Sequence, residues 1–263
     1  MRVWRLDVEY EGTRYAGWQT QPHARTVQGE LMKAAEQFLN SRVDVGGSGR
    51  TDAGVHALRQ VAHLKSKPTG RAPDPAQLKA GLNKLLPHDI NVLRVSNARA
   101  GFHARHDAVA RYYVYQIATR RTAFGKPFVW WVRDRLDVAA MRAACGLIPG
   151  RHDFSSFCES PAEQRSTLVE VLRAEVVTEG GLVLFRVGAS HFLWKMVRRL
   201  VGALVEVGRG NLSAEEFGGL FERYSNAPAA WTAPPSGLFL ERVLYEGDAP
   251  PGPLRAPFPL AAD

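Results

Sequence analysis

The sequence is poor in the features that mark secreted, metal-bound or membrane proteins. It has only two cysteines, Cys145 and Cys158, and neither lies in a CxxC pair or beside a metal-spaced histidine pair. We therefore interpret both as ordinary thiols of a reducing compartment, without a disulfide. No apolar run approaches the roughly 20 residues that a membrane-spanning helix requires. Because charges interleave with apolar residues from the first positions, we expect no secretion signal, no membrane contact and a cytoplasmic location.

Positive charge is the clearest surplus in the composition. The 263 residues include 34 Lys and Arg against 26 Asp and Glu, which gives a formal net charge of +8. A basic surplus favours a polyanionic partner, and nucleic acid is the commonest one. Basic residues mix with aromatic ones at 105–115 and 194–199, a combination suited to phosphates and unpaired bases. Charge alone leaves open a basic protein that has no such partner.

Helical and strand patterns follow one another irregularly along the chain. Period-two alternation or short apolar runs predict strands, and 3.6-residue spacing predicts helices. Strands are expected at 3–10, 43–45, 60–64, 90–95, 111–117, 168–177, 182–187 and 238–245, and helices at 27–38, 75–85, 138–148, 192–207 and after Ser213. We therefore expect an α+β fold: two α/β sandwich domains with mixed or antiparallel sheets, of the RRM/ferredoxin-like kind, flanking a central basic cleft. The expected domains are 1–106 and 107–246, followed by a Pro/Gly-rich tail at 247–263 that packs poorly.

Two helix starts carry strong local signals. Asp74 can cap the first amides of a helix, Pro75 fits the first helical position, and Gln77 completes a capping box. Ser213 and Glu216 form a second capping box in the same way.

The most informative segment is the glycine-rich loop GGSGRTDAGVHA at 46–57, between two predicted strands. Its glycines allow a tight turn and the close approach of a ligand. It holds one carboxylate, Asp52, near a cation, Arg50, which would keep that carboxylate ionised. An ionised aspartate there could act as a nucleophile or a general base. Two other interpretations stay open: a phosphate cradle, although the GK[ST] ending of a P-loop is missing, and a hairpin whose Asp caps a turn.

The string GRTDAGVHA at 49–57 resembles the signature loop of TruA-type tRNA pseudouridine synthases. Further residues match that family in order over nearly the whole chain: Tyr10–Thr13 with Tyr15–Gln19, 26–31 (TVQGEL), 101–105 (GFHAR) followed by Arg111 and Tyr113–Tyr115, 150–154 (GRHDF) with Phe157, Met196–Arg198 with Val201-Gly202 and Val207-Gly208, and 237–240 (GLFL). One departure lies just before the block at 196, where Trp194 and Lys195 replace residues that family members often have there, including histidine.

The resemblance implies an isomerase that converts uridine to pseudouridine in the anticodon arm of tRNA, at positions 38, 39 and 40. Reactant and product contain the same atoms in the same oxidation state, so no cofactor and no metal are expected. The family's nucleophile corresponds to Asp52 and its active-site arginine to Arg198, which we expect to pair with Asp52 across the cleft. Arg50 corresponds to the loop arginine that helps to expel the target nucleotide and hold its phosphate. Tyr113 corresponds to the tyrosine that stacks on the target base.

The family also works as a homodimer in which each tRNA spans both subunits, and we expect the same assembly here. Two other functions are weighed against this one. A non-catalytic RNA-binding protein would explain the charge and the aromatics but leave the aspartate loop without a role. A carboxylate-dependent hydrolase such as a nucleosidase would need a second catalytic carboxylate, which none of the matched blocks supplies. The histidines at 56, 103 and 106 fit no zinc spacing.

Overall fold

The computed structural model describes residues 1–67 and 71–262. Within them the chain forms ten β-strands and six α-helices, which confirms the predicted α+β class. The chain divides into two compact units, one containing Met1–Val109 with Leu240–Ala249 and the other containing Ala110–Phe239 with Pro250–Asp263. No helix among the described residues is long and apolar enough to cross a bilayer.

The first unit is an antiparallel sheet with two helices. Its elements are β1 (Arg2–Tyr10), α1 (Val27–Leu39), β2 (Val43–Gly47), β3 (His56–Ser66), α2 (Pro75–Leu85) and β4 (Ile90–Asn97). The strand order is β4-β1-β3, and β2 also pairs with β3. Trp4, Leu6 and Val8 alternate along β1 and are buried, so the period-two pattern of the sequence follows the core.

Side-chain caps fix where the helices of the first unit begin. Thr26 accepts a hydrogen bond from the amide of Gly29 at the start of α1. Asp74 and Gln77 form the predicted capping box at the start of α2, with Pro75 in the first turn. Each cap satisfies an amide that has no partner within the helix.

The second unit has its own antiparallel strands and four helices. Its elements are β5 (Ala108–Ala118), β6 (Trp130–Trp131), α3 (Val138–Cys145), β7 (Gly150–Asp153), β8 (Leu168–Glu179), β9 (Leu182–Ala189), α4 (Met196–Gly208), α5 (Ala214–Glu222) and α6 (Ala227–Ala230). The strand order is β5-β9-β8-β7, all antiparallel, and β6 pairs in parallel with β5. The predicted hairpin turns at Gly180, whose φ of 55° lies in the left-handed region.

Helix α4 is almost wholly buried in the second unit. A Cβ atom on Gly202 would lie 1.7 Å from the carbonyl oxygen of Trp231, so only glycine allows this approach of helix and loop. The helix begins at Met196 rather than at the predicted 192, because Lys195 takes a left-handed conformation with φ of 62°.

The expectation that the tail packs poorly is wrong. Leu254 is buried in a cluster with Leu182 and Leu184 of β9. Phe258 stacks on Phe128 with ring centroids 4.0 Å apart, and Leu260 accepts a hydrogen bond from the amide of Gly181. The apolar residues between the prolines therefore outweigh the overall composition of the tail.

The last strand, β10 (Leu238–Tyr245), agrees with the predicted bounds. Its residues from Leu240 onward belong to the first unit. There the hydroxyl of Tyr245 donates to the carbonyl of Ala104 at 2.7 Å, and the Arg5 guanidinium lies 4.5 Å from the centre of the Tyr245 ring.

Candidate active site

The loop that carries Asp52 connects β2 to β3, and a buried glutamine fastens its base. Gln60 of β3 accepts a hydrogen bond from the Ser48 hydroxyl at 2.6 Å and donates to the carbonyl of Gly49 at 3.0 Å. The amide of Ser48 also donates to the carbonyl of Val61. Because Ser48 and Gln60 are both buried, these bonds are shielded from water and hold the first half of the loop in one conformation.

The middle of the loop lies against the segment that follows β1. The amide of Trp18 donates to the carbonyl of Thr51 at 3.0 Å, and the Thr51 hydroxyl shares a 2.8 Å hydrogen bond with the hydroxyl of Tyr10. Burial raises the pKa of Tyr10 to about 12, so its hydroxyl stays protonated at neutral pH. Gly17 allows the contact, since its φ is 99° and an added Cβ would lie 2.5 Å from the carbonyl oxygen of Thr51.

The second half of the loop turns at Asp52 and is anchored again before β3. The amide of Val55 donates to the carbonyl of Asp52 at 3.2 Å, and Gly54 has a φ of 77°. His56, at the start of β3, is buried and accepts a hydrogen bond from the amide of Gly12 at 2.9 Å. Asp52 is partly exposed between these two anchored ends. The fold therefore presents one carboxylate on a turn whose backbone is fixed on both sides.

Arg50 lies on the same loop and is exposed. Its Nε donates to the side-chain oxygen of Gln19 at 3.2 Å. The first unit thus places Arg50 and Asp52 two residues apart on one loop, with the guanidinium oriented by the segment that follows β1.

Tyr113 lies on β5 in the second unit. It pairs in register with Val187 of β9, and its side chain is buried. Its ring meets Phe192 edge to face, with centroids 4.9 Å apart and planes at 80°. Packing against Phe192 restricts the rotation of the Tyr113 ring.

Arg198 is the third residue of α4 and is partly exposed, between the buried residues Val197 and Arg199. Its Nε donates to the carbonyl of Ala233 at 2.7 Å, and its own carbonyl accepts from the amide of Ala233. The neighbouring Pro234 accepts a hydrogen bond from the hydroxyl of Tyr115 at 2.8 Å. Burial holds the pKa of Tyr115 well above its usual value, an effect that the positive charge of Arg198 partly offsets.

The predicted site residues therefore fall into two pairs: Arg50 and Asp52 in the first unit, Tyr113 and Arg198 in the second. The ion pair between Asp52 and Arg198 stays a prediction. Among the described side chains, no group of three or more His, Cys, Asp and Glu residues could hold a metal ion.

The residues that fasten the loop were not identified from the sequence. Gln60 occupies a strand position, where a lone polar residue usually faces solvent, but here it is fully buried. One signal in the sequence was available for Gln60: it lies immediately before the apolar residues of the predicted strand that follows the aspartate loop. Thr51 and Tyr10 lie in the recognised blocks, yet nothing in their spacing indicates their hydrogen bond.

Comparison with known proteins identifies a family with similar sequences. A family model described as tRNA pseudouridine synthase matches residues 8–107 and 144–246. A tRNA pseudouridine synthase A of Citrifermentans bemidjiense is 41% identical over 251 residues, which are 94% of this chain and 98% of that protein. Proteins of the same name from Thermosipho africanus and Bacteroides fragilis are 39% and 38% identical, over 93% and 90% of this chain and 100% and 93% of theirs.

Proposed function

The chain belongs to the tRNA pseudouridine synthase family, and we propose that Asp52 is the nucleophile with which it isomerises uridine in the anticodon arm of tRNA. The enzyme is an isomerase: the N1–C1′ bond of uridine breaks, the base turns, and C5 bonds to C1′. No atom is gained or lost and no electron is transferred to another molecule. The anchored turn that presents Asp52 is the observation that carries the proposal.

The reaction needs a carboxylate that is ionised, close to the substrate and held in place. Asp52 attacks either C1′ of the ribose or C6 of the base, and both routes require its carboxylate as the nucleophile. The Val55 amide, which donates to the Asp52 carbonyl, and the Trp18 amide, which donates to the carbonyl of the preceding Thr51, fix the backbone around Asp52 before the substrate arrives. Less freedom therefore has to be lost when the reacting atoms meet.

Arg198 is proposed to pair with the Asp52 carboxylate and to keep it charged once RNA has excluded water. Its guanidinium is already oriented by the Nε hydrogen bond to Ala233, which supports a positioned rather than a mobile role. A lysine could not supply the same planar, multidentate group.

Arg50 and Tyr113 are proposed to handle the nucleotide itself. A uridine in a paired stem must leave the stack before it can react, which costs a few kcal/mol. The exposed guanidinium of Arg50 is suited to hold the displaced nucleotide by its phosphate. The ring of Tyr113, fixed by Phe192, is suited to stack on the flipped base.

The test measures pseudouridine formed in a tRNA transcript by the wild type, Asp52→Asn and a matched control, Glu36→Gln, which changes an exposed carboxylate on α1. We expect the control to match the wild type and Asp52→Asn to lose at least about a thousandfold in turnover while still binding tRNA. Substantial turnover by Asp52→Asn would refute its role as nucleophile. Loss of tRNA binding in Asp52→Asn would favour a non-catalytic RNA-binding protein, and release of free uracil would indicate a nucleosidase.

The finer features of the function are proposals as well. We propose that the modified uridines are those at positions 38, 39 and 40, that the enzyme is a cytoplasmic homodimer, and that base flipping brings the uridine to a cleft between the two domains. Transcripts that keep uridine at one of these positions test the first point. Light scattering at assay concentrations tests the dimer, which a monomeric mass would refute.

A further inference from the structure

A cavity of about 550 Å³ lies in the second unit beside the start of α4. Its lining includes Glu159, Lys195, Arg198, Arg199 and Tyr224. We call it the Lys195 cavity. A volume of this size is within the range of small-ligand pockets, about 300–1,000 Å³, and large enough for a nucleotide.

Positive charge exceeds negative charge among these lining residues. Arg199 is only 5% exposed; one of its terminal nitrogens donates to the carbonyl of Cys158 at 2.6 Å and the other contacts the Glu159 carboxylate. The ammonium of Lys195 lies 3.5 Å from the same carboxylate. With Arg198 also in the lining, three cations face one carboxylate, so the potential in the cavity is positive.

The local backbone adds to this potential. Lys195 is the N-cap of α4, and it makes no side-chain hydrogen bond to the first amides of the helix. The first turn of this 13-residue helix also carries no acidic side chain. The positive end of the helix dipole is therefore not neutralised by a side chain of its own helix, which favours an anion such as phosphate near Lys195. A buried nitrogen, Nε of Arg199, also has no hydrogen-bond partner among the described residues.

Two exposed aromatic side chains lie beside these cations. Tyr224 lines the cavity and is 57% exposed. Trp194 is 50% exposed, and the Lys195 ammonium lies 5.3 Å from the centre of its ring. Exposed rings next to phosphate-binding cations are the combination that single-stranded nucleic acid requires, since the rings stack on bases and the cations hold the backbone.

We propose that the Lys195 cavity is a second nucleotide subsite, which binds an unpaired nucleotide of the tRNA next to the target uridine. Lys195 binds its phosphate, and Tyr224 stacks on its base. The assignment to a neighbouring nucleotide rests on the proposed function, because Arg198 both lines the cavity and is proposed to pair with Asp52. The protein then distinguishes among tRNAs partly by a nucleotide that it does not modify.

The test compares Tyr224→Ala and Lys195→Gln with two control variants of the second unit that lie outside the lining. Phe124→Ala removes an aromatic ring that is 85% exposed, and Arg165→Gln removes an exposed cation. We expect the dissociation constant for tRNA to rise about tenfold in Tyr224→Ala and to stay within twofold in both controls. Lys195→Gln should reduce by about one the number of counterions released on tRNA binding, which is read from the slope of the logarithm of the binding constant against the logarithm of the salt concentration.

A series of anticodon-arm RNAs, each with one abasic nucleotide, identifies the bound base. One abasic position should weaken binding to the wild type about tenfold and leave binding to Tyr224→Ala unchanged, since both changes remove the same stacking contact. Equal losses for wild type and variant at every position would overturn the proposal. So would wild-type tRNA affinity in both Tyr224→Ala and Lys195→Gln. If uridine monophosphate binds and Tyr224→Ala weakens it while tRNA binding is unaffected, the cavity is a mononucleotide site and the proposal is wrong.

These measurements read binding rather than turnover. A failure of Asp52 as nucleophile would therefore leave their result unchanged, and a failure of the subsite would leave the nucleophile test unchanged.

Discussion

His63 gives the first unit a pH dependence that can be worked out from its surroundings. The side chain lies on β3, is only 2% exposed, and accepts a hydrogen bond at Nδ1 from the amide of Ala104. Burial is the main cause that lowers its pKa to about 4, and the nearby charges of Lys65 and His103 act in the same direction. Asp44, whose carboxylate lies 3.7 Å from Nε2, opposes them.

The sign follows from proton binding. The unfolded chain takes up a proton at the ordinary histidine pKa of about 6.5, whereas the folded protein does so only near pH 4. The stability that the neutral His63 provides is therefore fully present above pH 6.5 and is lost as the pH falls towards 4. The complete loss is about 3 kcal/mol, of which about 2 kcal/mol falls between pH 7 and pH 5.

The test is His63→Asn, because an asparagine oxygen can accept the Ala104 hydrogen bond and the side chain does not titrate. The free energy of opening is measured at pH 8, 7, 6 and 5 by hydrogen exchange in peptides from β3, which report on the first unit. Between pH 7 and pH 5 the wild type should lose about 2 kcal/mol more than His63→Asn. Any packing defect of the variant is present at every pH and cancels from this comparison. Parallel profiles for the two proteins would refute the reasoning.

Three substitutions test the backbone arguments, each by urea unfolding. Gly17→Ala should lower the free energy of unfolding by about 2 kcal/mol and reduce turnover, because alanine is strained at a positive φ and its Cβ would push against the aspartate loop. The control is Gly49→Ala, whose Cβ meets no atom within 4 Å. Equal stability of the two variants would contradict this explanation. Gly202→Ala should lower the free energy of unfolding by about 2 kcal/mol, because the Trp231 backbone must move away from the added Cβ. If the variant is more stable than the wild type, Trp231 moves without cost and the argument is wrong. Asp74→Ala should lower the free energy of unfolding by about 1 kcal/mol, because it removes the side-chain cap of α2. An unchanged urea midpoint would show that the cap does not stabilise the protein.

Elements with strong local signals could be predicted from the sequence. The capping boxes at Asp74 and Ser213 form as expected, and β10 has its predicted limits. These features depend on neighbours within a few residues, so a single sequence contains their cause. Strand β7 could not be predicted in the same way, since its four residues lack an apolar period and are ordered by pairing with β8.

The site was only partly predictable for the same reason. The aspartate loop could be found because its glycines and its resemblance to a family are local. The hydrogen bonds by which the buried Gln60 holds the loop form only because the fold places β3 next to the loop. The late start of α4 likewise depends on the Glu159 segment, whose amide donates to the carbonyl of Trp194 and whose carboxylate contacts Arg199. Contacts between residues far apart in sequence leave no periodic trace in either segment.

The path of β10 has a consequence for synthesis. Because Leu240–Ala249 belongs to the first unit, the unit that carries Asp52 lacks one of its own strands until residues 110–239 of the second unit have been translated. Until then the ring of Tyr245 is not present to cover Phe102, with which it packs at 5.5 Å, or to bond to Ala104. Synthesis of the first unit therefore starts before that of the second unit and finishes only after residues 110–239 have been made, so the apolar surface of the first unit depends on protection during elongation.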